Sequence, residues 1–217
     1  MSLRKYSAAT LFLLVSLWSV GASQQENGIN AIKIADGYFL VWNQPDIHFT
    51  LEVKGKEVRP LNSTEHVFFN VDGIIFQVQS VAISEFLKDA EKQKLSDQAI
   101  LTAHRDWEAQ FIQSSLLDKK LNVQSATQRL GDGTEALLWR FDMPDMPHSV
   151  RSDARAQIYL TMVKGAHVVL LNGVVRGTVA ESEVRKFLLN TSTTLKTSPG
   201  PINARELQET IRKRNGQ

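Results

Sequence analysis

The alternation of apolar and polar positions gives this chain its plan. Between Ile32 and Ile83 apolar residues recur at every second position, in short runs separated by turn residues. Ile32 and Ile34 alternate up to Asp36-Gly37, and Leu40 and Trp42 alternate beyond it; Asp-Gly between such runs predicts a hairpin. Pro45-Asp46 breaks the pattern, Phe49, Leu51 and Val53 share one face of the next strand, and Lys54-Gly55-Lys56 turns it. Asn62-Ser63-Thr64 reads as a loop, and a second Asp-Gly, Asp72-Gly73, joins His66–Val71 to Ile74–Ile83. The period changes at Ser84. After the polar stretch 84–95, Ser96 is placed to cap a helix and Asp97 to complement its dipole. Ile100, Ala103, His104, Trp107 and Phe111 then recur at helical spacing as far as about Leu117. This reading puts Arg105, Asp106, Glu108 and Gln113 on the opposite, polar face.

Strand periodicity returns in Asn122–Leu130 and Thr134–Asp142, joined by Gly131-Asp132-Gly133, with Leu137, Trp139 and Phe141 on the buried face. The most apolar stretch follows, Arg155–Arg176, two strands around a tight turn at Lys164-Gly165-Ala166. Its apolar residues lie on both faces, which predicts a central strand pair covered on both sides. A helix over Glu181–Leu195 presents Val184, Phe187, Leu188, Thr191 and Leu195 on one face. Pro199-Gly200-Pro201 interrupts the chain, and Asn203 with Glu206 has capping-box spacing for a terminal helix, Ala204–Arg214. The predicted domain is therefore 24–198, a single α+β unit: a mostly antiparallel sheet with two amphipathic helices packed on it. Residues 199–217 are expected to form a mobile or short helical tail. The order of elements (antiparallel hairpins, a helix before a second strand block, a closing helix) resembles the PsbP/Mog1-like fold over Ile32–Thr197. The resemblance rests on element order and carries no motif, so it transfers no functional residue; it implies an accessory or binding role.

The N-terminus changes the setting. Arg4 and Lys5 precede an apolar segment, Leu11–Val20, and Gly21-Ala22-Ser23 supply small residues, so 1–23 reads as a signal peptide cleaved after Ala22 or Ser23. The apolar run Ala8–Ala22 is shorter than the roughly 20 residues of a spanning helix, which argues against a retained anchor. The chain has no cysteine. That excludes a lipid anchor on cysteine and any disulfide, and favours a bacterial periplasmic or secreted protein over a eukaryotic secretory one. Losing Arg4 and Lys5 brings the 25 basic residues level with the 23 acidic ones. A neutral mature chain offers no electrostatic case for nucleic acid or for an anionic membrane surface.

Candidate chemistry is sparse. The loop Asp142-Met143-Pro144-Asp145-Met146-Pro147-His148, continuing to Asp153, brings thioether sulfur and imidazole together. Asp142, Met143, Asp145, Met146 and His148 could hold copper, the donor set that suits Cu(I), or a harder ion in a metal-assisted hydrolase. The bland alternative is a polar loop whose methionines fold back on the sheet edge. His104 faces the sheet as a base, a ligand or a core histidine, and Trp42, Trp107 and Trp139 could line an aromatic cleft or simply fill the core. Asp46 and His48 share a strand face, and His66 and His167 read as surface residues. No Gly-x-Ser-x-Gly elbow, cysteine nucleophile or phosphate loop is present. The sequence thus favours a non-enzymatic binding or accessory module of the bacterial envelope, taking an envelope protein or a small apolar ligand, with no resident cofactor expected.

Overall fold

The computed structural model describes residues 28–61, 67–88, 95–114, 116, 120–144 and 153–214. In chain order the strands are β1 (Ile29–Ile34), β2 (Gly37–Gln44), β3 (Ile47–Lys54), β4 (Val58–Leu61), β5 (Val67–Val71), β6 (Ile74–Ala82), β7 (Val123–Arg129), β8 (Glu135–Asp142), β9 (Ala154–Lys164), β10 (His167–Arg176) and β11 (Lys196–Ser198). The helices are α1 (Asp97–Ser114), α2 (Glu181–Ser192) and α3 (Ala204–Arg214), with a single 3-10 turn at Ile83–Glu85. This is an α+β fold in which strands pair antiparallel throughout.

The strands divide into two sheets. One has four strands in the order β1-β2-β3-β11; the other has seven in the order β4-β5-β6-β10-β9-β8-β7. The turn signals account for most of the hairpins. At the β5–β6 turn Asp72 and Gly73 both have positive φ, 51° and 90°, as a two-residue hairpin turn of matching twist requires. The Asp72 carboxylate also accepts hydrogen bonds from the backbone N–H groups of Lys56 (3.1 Å) and Glu57 (2.8 Å), tying this turn to the β3–β4 connection. The β9–β10 hairpin lies at the centre of the larger sheet and is buried on both faces, as its apolar pattern predicts.

Two cores result, one on each face of the seven-stranded sheet. The inner core joins Leu40, Phe49 and Leu51 of the small sheet to Phe69, Phe76, Ile158, Leu160 and Leu171 of the large one. Helix α2 fills part of it with Val184 and Leu188, and its approach depends on Gly173: a Cβ there would stand 2.5 Å from Val184 Cγ1. The outer core lies under α1 and contains Leu101, Ile112, Leu137, Trp139, Phe141, Tyr159 and Leu170. Helix α3 covers the other face of the small sheet. A reciprocal pair of bonds holds its approach: Asn43 Nδ2 donates to the Ile202 carbonyl (2.8 Å) and the Ile202 N–H donates to Asn43 Oδ1 (2.9 Å). The N-terminus of α3 is capped by Asn203, whose Oδ1 accepts from the Glu206 N–H at 3.2 Å.

Candidate functional site

Helix α1 begins where Ser96 predicts it, with the Ala99 N–H donating to Ser96 Oγ at 3.3 Å. Its buried face differs from the expected one. Ile100, Leu101, His104, Glu108 and Ile112 are buried, while Ala103, Trp107 and Phe111 are only half-buried. The helix is rolled by somewhat less than one residue step, about 100°, from the face that its aromatics mark. Leu101 and Ile112 go fully under, and Glu108, expected on the polar face, is carried inward to 6% exposure because it stands one turn beyond His104.

On the outer face of the large sheet a row of side chains runs straight across four strands, passing under α1 at β8 and β9. Register places Trp139 beside Tyr159, Tyr159 beside Asn172 and Asn172 beside Gln77. Gln157 and Thr161 flank Tyr159 on the same face of β9. All of these residues are buried. Trp139 stacks on Tyr159 with ring centroids 3.9 Å apart and planes 5° from parallel. The Tyr159 hydroxyl donates to Gln157 Oε1 at 2.5 Å, and Gln157 Nε2 donates to Met143 Sδ at 3.7 Å. Asn172 Nδ2 donates to the Ile158 carbonyl at 3.1 Å.

Several polar atoms on this face remain without a partner among the described residues: both ring nitrogens of His104, Trp139 Nε1 and Gln77 Nε2. Each such atom, buried and unpaired, costs about 1–3 kcal/mol. Burial lowers the His104 pKa to about 4 and raises that of Glu108 to about 7. Burial, and then the nearby Glu108 charge, pushes the Tyr159 hydroxyl well above its ordinary value. Near neutrality the seam therefore holds a neutral imidazole, with one donor and one acceptor to offer, and a carboxyl that takes up a proton readily.

The other sequence candidates are placed as follows. Trp107 joins His104 and Phe86 in a ring cluster with centroids 5.2–6.0 Å apart, at one side of the seam. Trp42 belongs to the inner core, stacked on Phe49 at 5.2 Å, so it does not meet His104, Trp107 or Trp139. Asp145, Met146 and His148 lie outside the described residues, as do His66, Asn62-Ser63-Thr64 and the leader 1–23. Of the five candidate ligands, the described two have partners outside the loop or at its start. Asp142 is exposed and ion-paired with Arg140, which also reaches Glu181 at 3.3 Å, and the Met143 sulfur faces Gln157. His48 is half-buried on β3 and Asp46 is exposed in the turn before it. His167, expected at the surface, is buried: it opens the central strand β10, where both neighbouring strands cover it. A cavity of about 400 Å³ lies apart from the seam, between α3 and the small sheet, lined by Ile34, Phe39, Leu207 and Ile211 with Lys54 and Lys196 at its margin.

Comparison with known proteins adds little. No family model matches the sequence, and no curated protein matches it. The fold is similar to the solution structure of cyanobacterial PsbP from Synechocystis sp. PCC 6803, with a TM-score of 0.47 and 9% identity over 84% of this chain and 99% of that one. It is a likeness of chain trace and transfers no residue. No helix among the described residues is long and apolar enough to cross a membrane.

Proposed function

We propose that the mature chain is an exported, non-enzymatic binding or accessory module of the bacterial envelope, and that its ligand is taken up in the polar seam between α1 and the large sheet. One observation carries the reading: His104 on α1, and Trp139 and Gln77 on the outer face of the large sheet, each bury a polar atom without a partner among the described residues, and burial makes each costly. A ligand with an aromatic or aliphatic body and a few hydrogen-bonding groups would satisfy them. This amends the expectation of a small apolar ligand, because the seam combines the Trp139–Tyr159 stack with amide and imidazole groups.

The test compares protein isolated from its own compartment with the same protein unfolded, dialysed and refolded. Ligand that binds only the folded chain raises the unfolding midpoint, so stripping it should lower the midpoint by several degrees. A His104→Leu variant should show no such difference. Equal midpoints for the two wild-type preparations would count against a resident ligand. Copper at the Asp142–His148 loop is the competing reading, and elemental analysis of the isolated protein separates the two.

A further inference from the structure

The two edges of the large sheet are built differently. β4 is four residues long and carries Arg59 and Pro60, features that blunt an edge against pairing. β7 is seven residues long, VQSATQR, without proline or lysine. Its register with β8 runs from Val123↔Phe141 to Arg129↔Glu135 without a shift, so no bulge twists this edge away. Gln124, Ser125, Ala126, Thr127 and Arg129 are exposed. Among the described residues no backbone hydrogen bond reaches β7 from its outer side. Such a strand presents a regular row of free N–H and C=O groups, the template on which another strand is added.

We propose that β7 pairs antiparallel with β7 of a second copy, about a two-fold axis at Ala126, so that the two seven-stranded sheets continue as one. In that register Ala126 meets the partner's Ala126, Ser125 meets the partner's Thr127, and Gln124 meets the partner's Gln128. Val123 meets the partner's Arg129. The sequence is compatible with itself: hydroxyl faces hydroxyl, amide faces amide, and the only charge on the strand faces an aliphatic residue. The nearest cation on α1, Arg105, is compensated by Asp106 at 2.6 Å while its Nη1 donates to Ser125 Oγ at 2.7 Å. A self-complementary patch is what a two-fold interface demands. A strand whose single charge stands at its end offers no pocket or charge pattern to select a foreign peptide, which favours a second copy as the occupant.

Sedimentation equilibrium of the untagged protein tests the pairing. The wild type should show a monomer–dimer equilibrium. Ala126→Lys and Ala126→Glu, each placing like charges opposite one another, should each weaken the dimer by roughly tenfold or more. Mixing the two variants should restore a dimer, now of unlike chains, which a misfolded variant could not do. A wild type that stays monomeric at every concentration overturns the proposal and leaves an extended segment of another protein as the occupant. A dimer that neither variant weakens overturns it as well, because the contact then lies elsewhere.

Discussion

Glu108 and His104 stand one turn apart on α1, and burial moves them in opposite directions. The Glu108 carboxyl rises from 4.5 to about 7. Between those values the folded chain holds a proton that the unfolded chain has released. Its contribution is therefore intact below pH 4.5 and is lost as pH rises to about 7, by about 3 kcal/mol in all. His104 falls from 6.5 to about 4, so the unfolded chain takes up a proton first, and stability is lost as pH drops through that window. In the wild type the two slopes oppose each other over their shared range, from pH 4.5 to 6.5. Separate substitutions should expose them. Glu108→Gln should leave stability that rises with pH between about 4 and 6.5, and His104→Leu stability that falls between 4.5 and about 7. Urea denaturation across this range reads both; slopes of the same sign in the two variants would contradict the burial described here. His104 was visible in the sequence as an inward residue. Glu108 was not, because the face was drawn through Trp107 and Phe111, and the helix instead buries the aliphatic pair Leu101 and Ile112.

At the scale of elements, packing hangs on a few close approaches. Helix α2 lies against β10 where Gly173 leaves room for Val184. Gly173→Ala should cost about 1–3 kcal/mol by overpacking. Val184→Ala should relieve much of that, so the double variant should lie close to Val184→Ala alone; a simple sum of the two losses, read by thermal or urea unfolding, would place the contact elsewhere. The turns were legible because their chemistry is local: Asp72-Gly73 needs positive φ, and Ser96 and Asn203 cap helices through their own side chains. β11 was not legible. Three residues, Lys196–Ser198, carry no periodicity, and they become a strand only because β3 offers them an edge. The buried amides of Gln77, Gln157 and Asn172 did leave a trace, as polar residues interrupting strands that are apolar on both faces.

For the whole molecule, the α+β class and the antiparallel hairpins followed from periodicity and turn signals. The division into two sheets did not, since it depends on which strands meet at long range, and β3 pairs with β2 and β11 rather than with β4. That division creates the two faces of the large sheet: an inner one facing the small sheet and α2, and an outer one where the Trp139–Tyr159 stack lies beside the buried amides of Gln157, Asn172 and Gln77. The ligand proposed above belongs to this outer face. Native mass spectrometry of the protein isolated untagged from its own compartment tests it most directly. The expected result is a mass in excess of the polypeptide, lost on denaturation and absent from His104→Leu. A mass equal to the chain alone would contradict it, and an excess that His104→Leu retains would move the ligand away from the seam, with the cavity under α3 as the next place to look.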